Sequence, residues 1–365
     1  MNILRKTVLS LLLTAVAVMG YAQSDCFTYQ TSDNNVITGL TEKGTAARAL
    51  TIPASVTNVI RGAFYDAHSN LTSLTIEDGG NPSFLGNLFG GNATGNTLTK
   101  INMGSEMSVD NMYSLLTSLG SRGALQTVEI EGYTGGAITW NDATINSILT
   151  STVRVILPAA LVSNQTFGEA GVYGRFEISK EIISFCTNAT FQDVDNGSNM
   201  LFYVADNVDG QRIHIQRVHY IAAGKGVLIH RTENSSGFAD LPRVNGVPQE
   251  SSDNSLYASN MLVGVTQETH IDQTVGEKTN LVLKDGAFHP TSGGSIKANK
   301  AYLQVPTDWL TNTARLEIAF DEETVGIDNM NIYENDNCYY DMQGRKVSNP
   351  QRGLYIVKGK KVLIK

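Results

Sequence analysis

Leu71-Thr72-Ser73-Leu74-Thr75-Ile76 and its recurrences decide how the first half of this chain is read. The form is Leu-x-x-Leu-x-Ile. It returns as Leu98-Thr99-Lys100-Ile101-Asn102-Met103, as Leu125-Gln126-Thr127-Val128-Glu129-Ile130 and, more loosely, as Thr152-Val153-Arg154-Val155-Ile156-Leu157. These copies start at 71, 98, 125 and 152, a period of 27 residues, and Ala47-Arg48-Ala49-Leu50-Thr51-Ile52 starts 24 residues before Leu71. A constant period of this length marks stacked units that cannot bury an apolar edge alone. Side chains alternate along a strand, so the Leu and Ile positions are expected inside and the positions between them outside. Stacking then makes one parallel sheet with a polar outer face.

Between copies the chain must return. Ile60-Arg61-Gly62-Ala63-Phe64 leads to Leu71 through a turn with Asp66, Ser69 and Asn70, and Phe89 holds a similar place in the Gly/Asn-rich loop 86–96. Met112, Leu115, Leu116 and Leu119 recur at spacings of three and four, as do Ile145, Ile148 and Leu149 after Asn141 and Asp142, either of which can cap a helix. The third and fourth returns are therefore predicted to be helical.

Leu50-Thr51-Ile52-Pro53-Ala54-Ser55-Val56-Thr57-Asn58-Val59-Ile60-Arg61-Gly62-Ala63-Phe64, followed by the Leu71–Ile76 phrase, resembles the BspA-like leucine-rich repeats. The later copies keep the strand phrase and lose most of the rest, with Pro158 after Leu157 as a trace. The resemblance covers about 40–165. It implies a secreted or cell-surface protein with a binding or adhesion role.

From about Tyr173 the period stops. Short apolar runs follow at 200–204, 213–221, 226–229, 281–283, 302–305 and 315–320, with Asp209-Gly210 and Asp285-Gly286 as hairpin turns. Alternation at Ile213/Ile215 and Leu316/Ile318/Phe320 points to an all-β domain. The phrases at 222–229 and 296–303 resemble an accessory β domain of bacterial surface proteins. The phrases at 340–347 and 353–365, with turns at Gln343-Gly344 and Lys358-Gly359, resemble the C-terminal sorting tails of type IX secretion cargo, which implies a delivery address. A last hairpin of the preceding domain is the alternative.

The N-terminus reads as an export signal: Arg5 and Lys6, an apolar run over 8–19, then Gly20-Tyr21-Ala22 as a cleavage site before Gln23. The run is too short for a membrane span, which needs about 20 residues, and no later stretch approaches that length. Loss of Arg5 and Lys6 leaves 25 basic against 35 acidic residues, a net charge of −10. Such a balance argues against nucleic acid as a partner. Cys26, Cys186 and Cys338 are odd in number and widely spaced, a pattern that fits no zinc motif.

No Gly-x-Ser-x-Gly elbow, His-Glu-x-x-His, phosphate loop or Gly-x-Gly-x-x-Gly occurs. His214 and His219 flank a strand at a spacing that places them on opposite faces, and His230 and His289 have no partner in sequence. Asp193/Asp195 and Asp206/Asp209 carry oxygen ligands at calcium-loop spacing, but Asp, Asn and Gly are also turn formers. Calcium at either pair is left open. Glu129 and Glu131 read as a solvated rim.

The expectation is an α+β multidomain chain. A signal peptide spans 1–22, a leucine-rich-repeat solenoid with an N-terminal cap 23–170, an all-β sandwich or barrel-like domain 171–325, and a β-hairpin or sorting-like tail 326–365. The expected function is exported cell-surface binding or adhesion, with a protein ligand of a host or neighbouring cell on the repeat face; the alternative is glycan binding in the all-β domain. The expected binding residues are Thr72, Ser73, Thr75, Thr99, Lys100, Asn102, Gln126, Thr127, Glu129 and Arg154, with Tyr133 and Trp140 in bordering loops. No catalytic residue, metal or cofactor is expected, nor a transmembrane span in the mature chain.

Overall fold

A computed structural model describes residues 24–92, 96–120, 123–178, 180–192, 200–231, 237–246, 253–310, 315–320, 339–340, 346–347, 352–357 and 360–364. The export signal, Asp193, Asp195, Cys338 and the two turns predicted in the tail lie outside them. Two compact units form; one closes at Ile318 and the other is Ala319–Lys365.

The repeat phrases become strands: β1 (Ala49–Ile52), β2 (Ser73–Ile76), β3 (Lys100–Asn102), β4 (Thr127–Glu129) and β5 (Arg154–Pro158). They pair in parallel, and Ala49, Ser73, Lys100, Thr127 and Arg154 stand in one row, so the register offsets equal the sequence period. Leu50, Leu74, Ile101, Val128 and Val155 are fully buried in the neighbouring row. The returns differ. The third is a helix, Val109–Ser118, whose Ser108 side chain accepts from Asn111 N; it buries Met112, Leu115 and Leu116. The fourth is a shorter helix, Ala143–Ile148, capped by Asp142, whose carboxylate accepts from Ile145 N at 2.9 Å. The first two returns instead place Asn58–Ile60 and Ser83–Leu85 side by side in a small second sheet.

The leucine-rich-repeat solenoid of the expected α+β chain does not describe this architecture. The described residues are mostly β, 45% strand against 16% helix, in several sheets, one of them nearly closed and barrel-like. The physical reason lies in β6 (Gly171–Glu177). It joins β5 in parallel, with Arg154 opposite Gly171 and Pro158 opposite Arg175, and offers its other edge to β9 (Phe238–Val244) in antiparallel pairing. Strands β7 (Thr190–Gln192) and β8 (Tyr220–Ile221) extend the sheet further, giving the order β8-β7-β9-β6-β5-β4-β3-β2-β1. The repeat ladder is thus one flank of a nine-stranded mixed sheet. A single apolar cluster runs beneath it from Phe27 and Leu50 through Leu157 to Phe176, Phe191, Leu241 and Tyr257. Strands that share one core do not make a self-contained stack.

The ten-stranded sheet is built from antiparallel hairpins such as Met200–Asp209 with Arg212–Val218 and Lys278–Lys284 with Ala287–Pro290. The turn Asp285-Gly286 has positive φ at both residues (50° and 78°), the conformation its sequence predicts. A second apolar cluster, with Phe288, Leu281 and Leu303 at its centre, fills this sheet. Ala301 N donates to Ser184 Oγ at 3.3 Å, tying strand Lys300–Pro306 to strand Ile182–Phe185.

In the second unit, Tyr339–Tyr340, Lys346–Val347, Gly353–Val357 and Lys360–Ile364 form a four-stranded antiparallel sheet. Among the described residues, no helix is long and apolar enough to cross a membrane.

Candidate functional site

The outward side of the nine-stranded sheet carries the residues singled out from sequence, in two kinds of environment. Thr72 and Thr99 turn their hydroxyls back onto the preceding turn: Thr72 Oγ1 donates to Arg48 O and Thr99 Oγ1 to Thr72 O, each at 2.9 Å. They staple successive copies together. Ser73, Thr75 and Thr127 are half-buried, and Gln126 is exposed. Asn102 Nδ2 donates to Glu131 Oε2 at 3.3 Å.

Charge concentrates where the parallel ladder meets the antiparallel strands. Glu129 is buried, its side chain 11% exposed. A carboxylate in that position must be paired. Lys100 Nζ lies 2.8 Å from one of its oxygens and Arg175 Nη2 3.5 Å from the other. Arg175 also grips Asp240 through a two-point fork, Nε to Oδ1 at 2.8 Å and Nη2 to Oδ2 at 2.9 Å. That carboxylate, opposed by partial burial, raises the Arg175 pKa still further above its ordinary value. The relay Lys100–Glu129–Arg175–Asp240 is electrically neutral and links strands β3, β4, β6 and β9.

Two rings stand beside it. The Arg154 guanidinium lies 4.1 Å from the centre of the Tyr173 ring, and that of Arg175 lies 5.2 Å from the centre of Phe238. Tyr173, Arg175 and Glu177 share the outward face with their register partners Pro242, Asp240 and Phe238. Phe238 is 49% exposed, an unusual setting for a phenylalanine on a sheet face. Sequence reasoning found Arg154 and Glu129 and missed Arg175, Tyr173, Phe238 and Asp240. Inward Val172 and Phe176 alternate with outward Tyr173 and Arg175, and that pattern was readable; the partnership with 238–242 was not.

Below the relay, at the ends of the strands, the face opens into a cleft of about 470 Å³, within the range of small-ligand sites. Ile156, Pro158, Ala159, Phe176 and Ile178 supply apolar wall, and Glu129, Glu131, Glu177, Arg175 and Lys300 supply charge. Its far wall is braced by Asn299, which adopts a left-handed φ of 61° and donates from Nδ2 to Cys186 O at 3.0 Å and to Ala160 O at 3.4 Å. Tyr133 lines the cleft, yet is nearly buried, and donates to Gly136 O at 3.3 Å. Trp140 is in the core, edge-on to Phe167 at 5.3 Å. A second hollow of about 420 Å³ shares Glu131 and Gly132 with the first and continues past Asn102 and Ser105 to Asp78.

Other sequence candidates are placed elsewhere. Asp206 accepts from Gln216 Nε2 at 3.0 Å on one oxygen and lies 2.7 Å from His214 Nδ1 on the other. Both oxygens are thus already engaged by side chains. His219 is tied to buried Asp253: its backbone N donates to that carboxylate at 2.5 Å and its ring lies 3.4 Å from it. Among the described residues, no three His, Cys, Asp or Glu side chains converge as metal ligands. The chain matches no protein-family model, no curated protein and no solved structure.

Proposed function

We propose that this chain is an exported surface protein that captures a protein ligand on the outward face of its nine-stranded sheet, at the junction of β5, β6 and β9. The observation that carries the reading is the pair of arginine–aromatic contacts, Arg154 on Tyr173 and Arg175 on Phe238, beside an open cleft. Arginine and aromatic side chains dominate the energetics of protein interfaces, because they bury large rigid surfaces while keeping polar contacts. The relay of paired charges holds that patch in one geometry, which lowers the ordering cost of binding. Export rests on the leader residues 1–22, and the resemblance of 50–76 to BspA-like surface proteins points the same way.

The test is selection of a displayed peptide library on the immobilised chain, repeated with the Tyr173→Ala, Phe238→Ala double variant. Peptides retained by the parent and released by the variant support the reading. Peptides retained equally by both, or no enrichment, count against it.

Glycan binding is the second reading. It draws on the exposed Phe238 ring next to the Asp240 carboxylate, since sugars stack on rings and hydrogen-bond carboxylates. A glycan array separates the two: saccharide signal lost in Phe238→Ala favours it, and a silent array removes it.

A further inference from the structure

The cleft and the hollow beside it form one trough along the strand ends, and we propose that its occupant is an extended, basic segment of the protein ligand, with cationic side chains about three residues apart. The proposal rests on the protein-binding reading above and names the chemistry of its ligand.

Charge complementarity is the first argument. Around the trough, Lys100, Glu129, Arg175 and Asp240 neutralise one another. The sheet side then presents Asp78, Glu131 and Glu177, all exposed. Lys300 stands on the far wall, so the acidity belongs to the strand ends. Ser105 Oγ hydrogen-bonds the Asp78 carboxylate, which lowers its pKa and keeps it anionic.

Spacing is the second. Asp78 follows β2, Glu131 follows β4 and Glu177 ends β6. Neighbouring members of this series are separated by two strand steps of the order β6-β5-β4-β3-β2. Two steps are about 10 Å measured across the strands, and four about 19 Å. An extended chain advances about 10 Å in three residues, so side chains three apart meet successive carboxylates. The apolar wall of Ile156, Pro158 and Ala159 suits the methylene stem of lysine or arginine, whose head then reaches the rim.

Fluorescence anisotropy on the full chain provides the test. The probe is labelled Lys-Gly-Ser-Lys-Gly-Ser-Lys, compared with an isomer that has its three lysines adjacent and with an analogue carrying glutamine for lysine. Exposed charge pairs each contribute about two- to fivefold in affinity. The spaced peptide is therefore expected to bind at least about fivefold more tightly than the clustered one, and the Glu131→Gln, Glu177→Gln double variant about tenfold more weakly than the parent. Equal binding of the two isomers, binding of the glutamine analogue as tight as that of the lysine peptide, no binding at all, or indifference to the double variant overturns the proposal. The library selection is independent of it: enriched peptides without basic residues defeat this inference and leave the protein-binding reading standing. Far-UV circular dichroism of the variant confirms that it folds; both positions are exposed.

Discussion

Arg175 and Asp240, 65 residues apart in sequence, meet in a two-point fork at 2.8 and 2.9 Å across the β6–β9 pairing. This contact is where the repeat ladder is joined to the antiparallel half of the molecule, and it fixes the surface on which binding is proposed.

Asp240→Ala leaves Arg175 with the more distant Glu129. The two side chains are each 16% exposed, so the cost is below that of a fully buried broken pair, about 2 kcal/mol. The double variant Arg175→Met, Asp240→Leu removes both charges and is expected to cost less than the single change. Thermal melting of both variants checks this; a double variant less stable than Asp240→Ala would show that the fork itself stabilises the sheet.

Gly174 has no room for a side chain. A Cβ there would lie 2.4 Å from the Phe191 ring and 3.1 Å from Ala159 Cα. Gly174→Ala must displace Phe191 from the core, at a cost of about 1–3 kcal/mol. Its denaturation midpoint is expected to fall. A midpoint unchanged from the parent would mean that β6 and β7 are not packed as described.

Acid stability has a local contribution from Asp142. Hydrogen bonds from Ile145 N and from the Tyr113 hydroxyl hold its pKa below the ordinary value of 3.8. A carboxylate depressed in the folded state stabilises fully above its unfolded pKa and loses that contribution as pH falls through the folded one. Asp142→Asn is expected to flatten the stability curve below about pH 4 and to change it little in shape at pH 6 to 8. Melting temperatures across pH 2.5 to 7 decide; parallel curves for parent and variant would refute the cap's role.

Cys186 is fully buried, and burial pushes its thiol pKa up to about 11. At pH 8 it is expected to resist iodoacetamide in the native state and to react in denaturant. Peptide mass mapping reads this directly, and labelling of Cys186 in the folded chain would contradict its burial.

Much of the ladder was legible because its signal is local. Leu74, Ile101, Val128 and Val155 repeat at a fixed period, and the same offset sets their register. The capped helices at 109–118 and 143–148 carry their own spacing and N-caps. The architecture was not legible, because it depends on which strand takes the free edge of β6. That strand, Phe238–Val244, lies more than 60 residues downstream, and Asp240 and Phe238 carry no periodic mark. Nor does the sequence pattern show that Thr72 and Thr99, two of the positions expected to bind, also hydrogen-bond back to the preceding copy.

The most direct measurement is site-specific photo-crosslinking with a retained library peptide. A photoreactive residue is placed at Thr127, on the outward face, and separately at Lys284, beside the Asp285-Gly286 turn of the ten-stranded sheet. Adducts at Thr127, absent from Lys284 and competed by unlabelled peptide, are the predicted result. Adducts at Lys284 with none at Thr127 would contradict the assignment of binding to the nine-stranded sheet.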